Sequence, residues 1–315
     1  KELKLALAEG KWPWLLAALA LQMAYYALYA VLYRAGYATV GVASRVRALI
    51  PVLMASIVVG TLTPAGGLSA AAVLVDDATR RGQSAARATQ GVLLVWVAGV
   101  ISAVPLLLIG LAYLQLSEAL AAYELVAALI FLLYSGGLCG ILFLAKWQPA
   151  LLRWGLGRLQ RAINPLLGRL KRPLLPEGWA KHNADEAKGA AVAIATRPLL
   201  LSLALALALG THLLNLTSLA TIFLAFGHAL GFGALAAAYT LGFVFAVISI
   251  IPFDLGVLAG VMTLVYSSVG VPPARALVIS VAFRGLNAWL PVALGFLLFR
   301  QALRSSNRDH PAGPS

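Results

Sequence analysis

The sequence has few charged residues. Asp, Glu, Lys and Arg make up 11% of the 315 residues, where an ordinary soluble domain has about 25%, and 61% of the residues are hydrophobic. This composition excludes a soluble globular domain and indicates a membrane protein. There is one cysteine, Cys139, so an intrachain disulfide is excluded. The sequence also has no zinc-ligand spacing, P-loop or nucleophile elbow, so no motif of these kinds points to an enzyme.

Long apolar segments dominate the chain. A helix that crosses a bilayer needs about 20 consecutive apolar residues. Five segments have that length: 12–33, 91–113, 125–145, 199–219 and 276–299. Two further apolar segments, at 49–62 and 234–251, are shorter, and each runs into a proline. We therefore expect an all-α polytopic membrane protein.

Acidic residues are scarce, with 11 against 24 Lys and Arg and a formal net charge of +13. The excess is concentrated in the linker 146–197, which has ten basic and three acidic residues. Basic loops of membrane proteins face the cytoplasm, so we expect an anionic membrane surface rather than a nucleic acid as the partner. The loops 34–47 and 76–87 and the C-terminus should also be cytoplasmic. The loops 114–124 and 225–233 contain no Lys or Arg and should face outside.

Within the linker, Trp and Leu residues recur at helical spacing from Trp147 to Leu159, among arginines. This pattern predicts a helix that lies on the cytoplasmic face of the membrane among anionic headgroups. A solvated connector is the alternative, because prolines follow at 165, 173 and 176.

The chain contains an internal repeat. A shift of 188 residues places Pro64 on Pro252 and Gly82 on Gly270, with further matches around both glycines. In both copies a short helix precedes the proline, and a short apolar run, a glycine turn and a long helix follow it. Repeat 1 covers 12–113, and the spanning helix 125–145 and the linker connect it to repeat 2 at 198–300.

The charge pattern also predicts how the repeats are oriented. The segment 49–75 lies between two basic loops, so it should enter from the cytoplasm and return to it as a re-entrant hairpin. Its counterpart 234–266 should enter from outside, and three full spans separate equivalent helices, so the repeats are inverted. Opposed hairpins with Pro/Gly breaks near the membrane middle indicate a transporter site. This topology puts Lys1, Lys4 and Lys11 outside, which a further helix before them would resolve.

Four stretches carry a family resemblance: TPAGGLSAA, VDDATRRGQSAARA, IPFDLGVLAG and SVGVPPARALVISVAFRGLNAWLPVALG. They resemble the lysylphosphatidylglycerol synthase transmembrane family, which includes the lipid-translocating half of multiple-peptide-resistance proteins. The matching positions are Pro252, Gly256, Gly270-Val271 and Arg284. The sequence departs from the family at Ala259, where a Glu is usual, and at 94–96, where many members carry charged residues.

The resemblance implies translocation of lipids. The soluble aminoacyl-transferring domain of the two-part members is not expected here, because nothing after Arg304 could form it. We therefore expect translocation without synthesis, no enzymatic activity and no cofactor.

Ionisable residues within the apolar segments are candidates for the site, because charges at membrane depth are costly and are usually functional or paired. Arg284, with Asn287 one turn later, could contact a lipid phosphate or pair internally with Asp254. Asp254 could cap a helix or balance an ammonium headgroup. His212 and Asn215 could line the translocation path, or His212 could be a hydrogen-bonded packing residue.

Two further features could contribute to the site. At the breaks, Pro64 and Pro252 are followed by Gly66, Gly67 and Gly256, which leave backbone N–H groups open to an anion. On the first long helix, side chains recur at spacings of three and four and could line a groove or pack in the interior: Gln22, Tyr26, Tyr29 and Tyr33.

These features together predict a flippase or scramblase of the cytoplasmic membrane, acting on phospholipids or lipid-linked polar headgroups. The alternatives are an ion-coupled exporter of a small polar solute, and a non-transporting scaffold for a separate lipid-modifying enzyme. The sequence leaves open whether the protein is a homo-oligomer.

Overall fold

The computed structural model describes residues 10–63, 66–169, 175–248 and 255–309, and this part of the chain contains helices and no strands. Eleven helices follow one another in these residues: α1 (Trp12–Thr39), α2 (Val46–Leu62), α3 (Gly67–Arg80), α4 (Ala85–Leu116), α5 (Ala122–Trp147), α6 (Pro149–Arg169), α7 (Trp179–Thr196), α8 (Pro198–Ala225), α9 (Phe232–Ile248), α10 (Leu255–Ser268) and α11 (Pro273–Asp309). The expected all-α fold is confirmed.

Five helices are long and apolar enough to cross a membrane, namely α1, α4, α5, α8 and α11. They coincide with the five predicted segments, but several extend further. Helix α1 continues past Arg34 to Thr39, and α4 begins at Ala85, ahead of Arg87. A charge at the end of an apolar stretch marks the point where hydropathy falls. It does not end the helix, because a guanidinium on a long side chain is compatible with helical backbone.

The order of helices recurs along the chain. Helices α1 and α8 each have 28 residues, α2 and α9 each have 17, and α3 and α10 each have 14. Helices α3 and α4 begin at residues 67 and 85, and α10 and α11 begin 188 residues later, at 255 and 273. The four-helix unit α1–α4 therefore has its counterpart in α8–α11, at the spacing found in the sequence.

The equivalent helices α1 and α8 pack antiparallel along their whole length. At one end the Lys11 N–H donates to the Ala225 carbonyl at 2.9 Å. At the other end the Arg197 guanidinium donates to the Ala38 carbonyl at 2.6 Å. The exchange between units is reciprocal, since α9 packs on α4 and α2 packs on α11. The re-entrant course of the hairpins and the inversion of the repeats across a membrane stay predictions.

The linker is more structured than its sequence indicated. The predicted interfacial helix corresponds to α6, which continues through Pro165 to Arg169, and a second helix, α7, follows. The side chains of Trp147 and Trp154 are 64% and 54% exposed, and basic groups lie over both rings. Location of this helix at the membrane surface stays a prediction.

Helices α4 and α9 approach so closely that only glycine fits at position 110. A Cβ added there would lie 2.6 Å from the Ala237 Cα and 2.7 Å from its backbone nitrogen. Both contacts are backbone atoms, so a side chain could be accommodated only if the helices moved apart.

We expect Gly110→Ala to lower the free energy of unfolding by about 1–3 kcal/mol, the usual cost of overpacking. Gly137→Ala on α5 is the control, because a Cβ at Gly137 would meet nothing within 4 Å. Thermal unfolding of the purified protein in detergent measures both. Equal midpoints for the two variants would contradict the close packing of α4 on α9.

Candidate functional site

Side chains from both four-helix units line a cavity of about 220 Å³. We call it the polar cavity, and its lining residues come from six helices: Tyr25, Tyr29, Leu32, Val95, Trp96, Gly99, Val100, Thr211, His212, Asn215, Tyr239, Gly242, Phe243, Ala246, Val247, Leu258, Met262, Phe283, Arg284 and Asn287. Four of the predicted site residues are among them, although they come from two different helices. The structure thus brings Arg284, Asn287, His212 and Asn215 together.

His212 is held by two hydrogen bonds. Its Nε2 lies 2.8 Å from the Gly99 carbonyl oxygen, and its Nδ1 lies 2.7 Å from the Tyr239 hydroxyl. A carbonyl can only accept, so Nε2 carries the hydrogen and, in the neutral ring, Nδ1 accepts from Tyr239. His212 is therefore a hydrogen-bonded residue of the cavity wall, which joins α8 to α4 and α9. Both of its ring nitrogens are used within the protein.

Asn215 provides an acceptor in the cavity wall. It lies three residues after His212 on α8, beside the hydroxyls of Tyr25 and Tyr239. Its side chain is 93% buried, and its Oδ1 has no hydrogen-bond partner among the residues that the structure describes. A buried acceptor without a partner costs about 1–3 kcal/mol, so a ligand that donates a hydrogen bond here gains that free energy.

Arg284 and Asn287 lie one turn apart on α11. The Asn287 Oδ1 accepts from Gln22 Nε2 at 3.2 Å, and the Tyr26 hydroxyl donates to the Leu286 carbonyl at 3.0 Å. These bonds hold α1 against α11. Arg284 is the one Lys, Arg, Asp or Glu among the residues that line the polar cavity.

The row predicted on the first long helix divides between two roles. Gln22 and Tyr26 are buried and pack against α11. Tyr29 lines the polar cavity, and Tyr29 and Tyr33 both line a second cavity. The groove and the packing interpretations therefore each hold for half of the row.

The second cavity, of about 380 Å³, lies between α1, α2, α3, α4 and one residue of α5, and we call it the side cavity. Its lining residues are Tyr29, Tyr33, Ser56, Ile57, Gly67, Leu68, Ala70, Ala71, Val92, Leu93, Trp96 and Tyr134. Tyr29 and Trp96 line both cavities. Gly67 was predicted at the anion site, and the structure places it in the side cavity, at the start of α3 and against the Trp96 ring.

The first break requires glycine for a backbone reason. Gly66 has φ +43° and ψ −109°, a conformation that residues with a Cβ rarely adopt. It is the residue before α3, so it directs the chain into that helix. Gly256 is the second residue of α10. Pro64, Pro252 and Asp254 lie outside the described residues, so their roles stay predictions.

Sequence reasoning missed a buried carboxylate at the start of α5. Glu124 is fully buried; its Oε2 accepts from the Ala121 N–H at 3.0 Å, and its Oε1 accepts from the Ser268 hydroxyl at 2.8 Å. The available signal was an acidic residue in the first turn of a helix that follows a loop. Glu124 caps its own helix and holds it to the end of α10.

Comparison with known families agrees with the fold and with the resemblance in the motifs. The family described as "Lysylphosphatidylglycerol synthase TM region" matches residues 1–295. The chain belongs to this family. A comparison with curated proteins found no match. Family membership fits a multi-pass membrane protein linked to the handling of lipids, which is the coarser part of the functional expectation.

The bond between Tyr239 and His212 can be tested by a double-mutant cycle. We expect Tyr239→Phe to lower the free energy of unfolding by about 1 kcal/mol, because it leaves the buried Nδ1 without a donor. In the double variant with His212→Phe, we expect the two effects to be non-additive by about 0.5–3 kcal/mol. Denaturant unfolding in detergent provides the four free energies.

Tyr113→Phe is the control for the loss of a hydroxyl, because Tyr113 lies outside the polar cavity and is 37% exposed. Additive effects of Tyr239→Phe and His212→Phe would contradict the bond.

Proposed function

We propose that the protein moves phospholipids, or lipids with other polar headgroups, across the cytoplasmic membrane, and that the polar cavity holds the headgroup on its way. The observation that carries this proposal is the convergence of Arg284, Asn287, His212 and Asn215 in one cavity between apolar helices. On this proposal the protein is a transporter without enzymatic activity, and phospholipids are its partners. Its C-terminus lies in the cytoplasm.

The position of Arg284 supports a phosphate ligand. It lies 11 residues after the start of the apolar span Pro273–Ala293, near the middle of that span. An arginine at the centre of a spanning helix costs about 2.5 kcal/mol or more on insertion scales. A planar guanidinium that reaches a cavity offers paired donors to phosphate oxygens, so this cost can serve anion binding.

The other polar atoms suit the rest of a headgroup. Asn215 Oδ1 offers an acceptor to a hydroxyl or an ammonium group. Aromatic rings surround the same space, including Tyr29, Trp96 and Phe243, and can pack against a cation or the carbon atoms of a headgroup.

The antiparallel pairing of α1 with α8 supports a transport mechanism based on inverted repeats. In such transporters the binding site lies where the repeats meet, and access alternates as one unit moves against the other. The polar cavity has this location, because both four-helix units line it. The sequence contains no nucleotide-binding motif, so we propose downhill movement or coupling to ions.

Reconstitution into vesicles tests the function. With fluorescent phosphatidylglycerol, we expect the wild-type protein to move headgroups between leaflets faster than in empty vesicles. Arg284→Gln should lower the rate at least about tenfold, since it removes the charge that meets the phosphate. Arg284→Lys should be intermediate, because an ammonium keeps the charge and loses the planar fork.

Arg80→Gln is the charge-matched control. Arg80 is exposed at the end of α3, pairs with Asp76 and lines neither cavity, so its loss should leave the rate unchanged. Solute flux without lipid movement would identify an exporter. A rate equal to that of empty vesicles under every lipid and ion gradient would exclude transport and leave the scaffold.

A further inference from the structure

The side cavity is the repeat counterpart of part of the polar cavity. The 188-residue shift places Trp96 on Arg284 and Ala70 on Leu258, and in each pair the first residue lines the side cavity and the second lines the polar cavity. Each cavity thus lies against the second short helix and the following long helix of its own unit. The two cavities are related in architecture and can be compared position by position.

The two cavities differ in chemistry. No Asp, Glu, Lys, Arg or His lines the side cavity, and Trp96 occupies the position that Arg284 has in the other unit. The one serine of the lining, Ser56, donates its hydroxyl to the Leu53 carbonyl at 2.9 Å, within its own helix. The side cavity therefore suits an apolar ligand and has no charged group for a phosphate.

The side cavity lies beside exposed apolar side chains. Leu68 is 79% exposed, Leu93 is 40% exposed and Trp96 is 43% exposed. The Trp96 Nε1–H donates to the Tyr134 hydroxyl at 2.8 Å, which joins α4 to α5 at this edge. On helices that cross a bilayer such surfaces face lipid, so the side cavity borders on the acyl chains of the membrane.

We propose that the side cavity holds one acyl chain of the lipid whose headgroup occupies the polar cavity. Tyr29 and Trp96, which line both cavities, then contact the part of the lipid between its headgroup and its chain. This inference rests on the proposed function, because it assigns head and tail of the same substrate. It also separates a lipid from a water-soluble solute, which has no chain to place.

The acyl chain contributes position more than affinity. A methylene group leaves an apolar bilayer for an apolar cavity, so little free energy is gained on transfer. What the cavity provides is a fixed location for the chain, which keeps the headgroup near Arg284. A solute consisting of the headgroup alone would lack this constraint.

Photolabelling in reconstituted vesicles tests the location of the chain. The probe is phosphatidylglycerol with a diazirine in the middle of one acyl chain, in vesicles of phosphatidylcholine. We expect labelling at Ser56 and Val92, which line the side cavity and are only 3% and 6% exposed. Bulk lipid does not reach these two residues, so an excess of unlabelled phosphatidylglycerol should compete with their labelling.

A matched pair of variants tests the same point. Leu93→Trp places a large ring at the side cavity, and we expect it to lower labelling at Ser56 at least about tenfold. Val281→Trp is the control, because Val281 is the repeat counterpart of Leu93, is also exposed, and lines neither cavity. It should leave the labelling unchanged.

Labelling at Ser56 and Val92 that excess lipid displaces, and that Leu93→Trp lowers, supports the inference. Labelling confined to lipid-facing residues such as Leu133, or equal labelling in the two tryptophan variants, overturns it. The wild-type measurement decides the case even if Leu93→Trp does not fold. Transport in the same vesicles is scored separately. Transport that Arg284→Gln abolishes, with no labelling in the cavity, would leave the proposed function standing and remove only this inference.

Discussion

The antiparallel contact of α1 with α8 is the interaction on which the polar cavity depends. Lipid tails are as apolar as the side chains of spanning helices, so such helices associate through close packing and hydrogen bonds. Small residues allow the close approach here: Ala18, Ala30, Ala204 and Ala208 are fully buried, and a Cβ at Gly210 would lie 3.0 Å from Leu28. Ser218 adds a hydrogen bond to the Ala18 carbonyl at 3.2 Å. This pairing places the tyrosines of α1 opposite His212 and Asn215 of α8.

The polar groups of the cavity wall are mostly engaged with one another, and this is what leaves a defined site. An unpaired polar group inside a membrane is costly, so side chains such as His212 and Asn287 are held by neighbouring helices. Groups fixed in this way do not need to reorganise when a ligand arrives. Asn215 Oδ1 keeps an acceptor available in this otherwise satisfied surface.

The sequence was informative where the signal is local. Apolar length predicted the five spans, and amide and ionisable residues inside apolar segments predicted four members of the cavity wall: His212, Asn215, Arg284 and Asn287. Their partners were beyond reach, because His212 meets Tyr239 and Gly99 across 27 and 113 residues of chain. No periodicity within one helix encodes contacts of that range. Helix α7 was missed because its mixed composition, from Trp179 to Thr196, lacks a clear apolar face.

The row on α1 shows a further limit of the same kind. Residues at spacings of three and four share a face of a helix, but a long helix meets different neighbours along its length. Gln22 and Tyr26 therefore meet α11, whereas Tyr29 and Tyr33, one and two turns further on, reach the cavities. A shared face could be predicted, and the change of neighbour could not.

The two repeats keep the same architecture while the chemistry of the site has concentrated in the second. The 188-residue shift pairs each of the four polar residues with an apolar or small one: Arg284 with Trp96, Asn287 with Gly99, His212 with Ala24, and Asn215 with Ala27. Two arginines facing one cavity would place like charges together in an apolar environment, where their repulsion is poorly screened. Small residues in the first repeat instead leave room for the polar side chains of the second, and Gly99 presents its carbonyl to His212. A symmetric frame with one charged half is suited to a ligand that is itself unsymmetrical, with a polar head and an apolar tail.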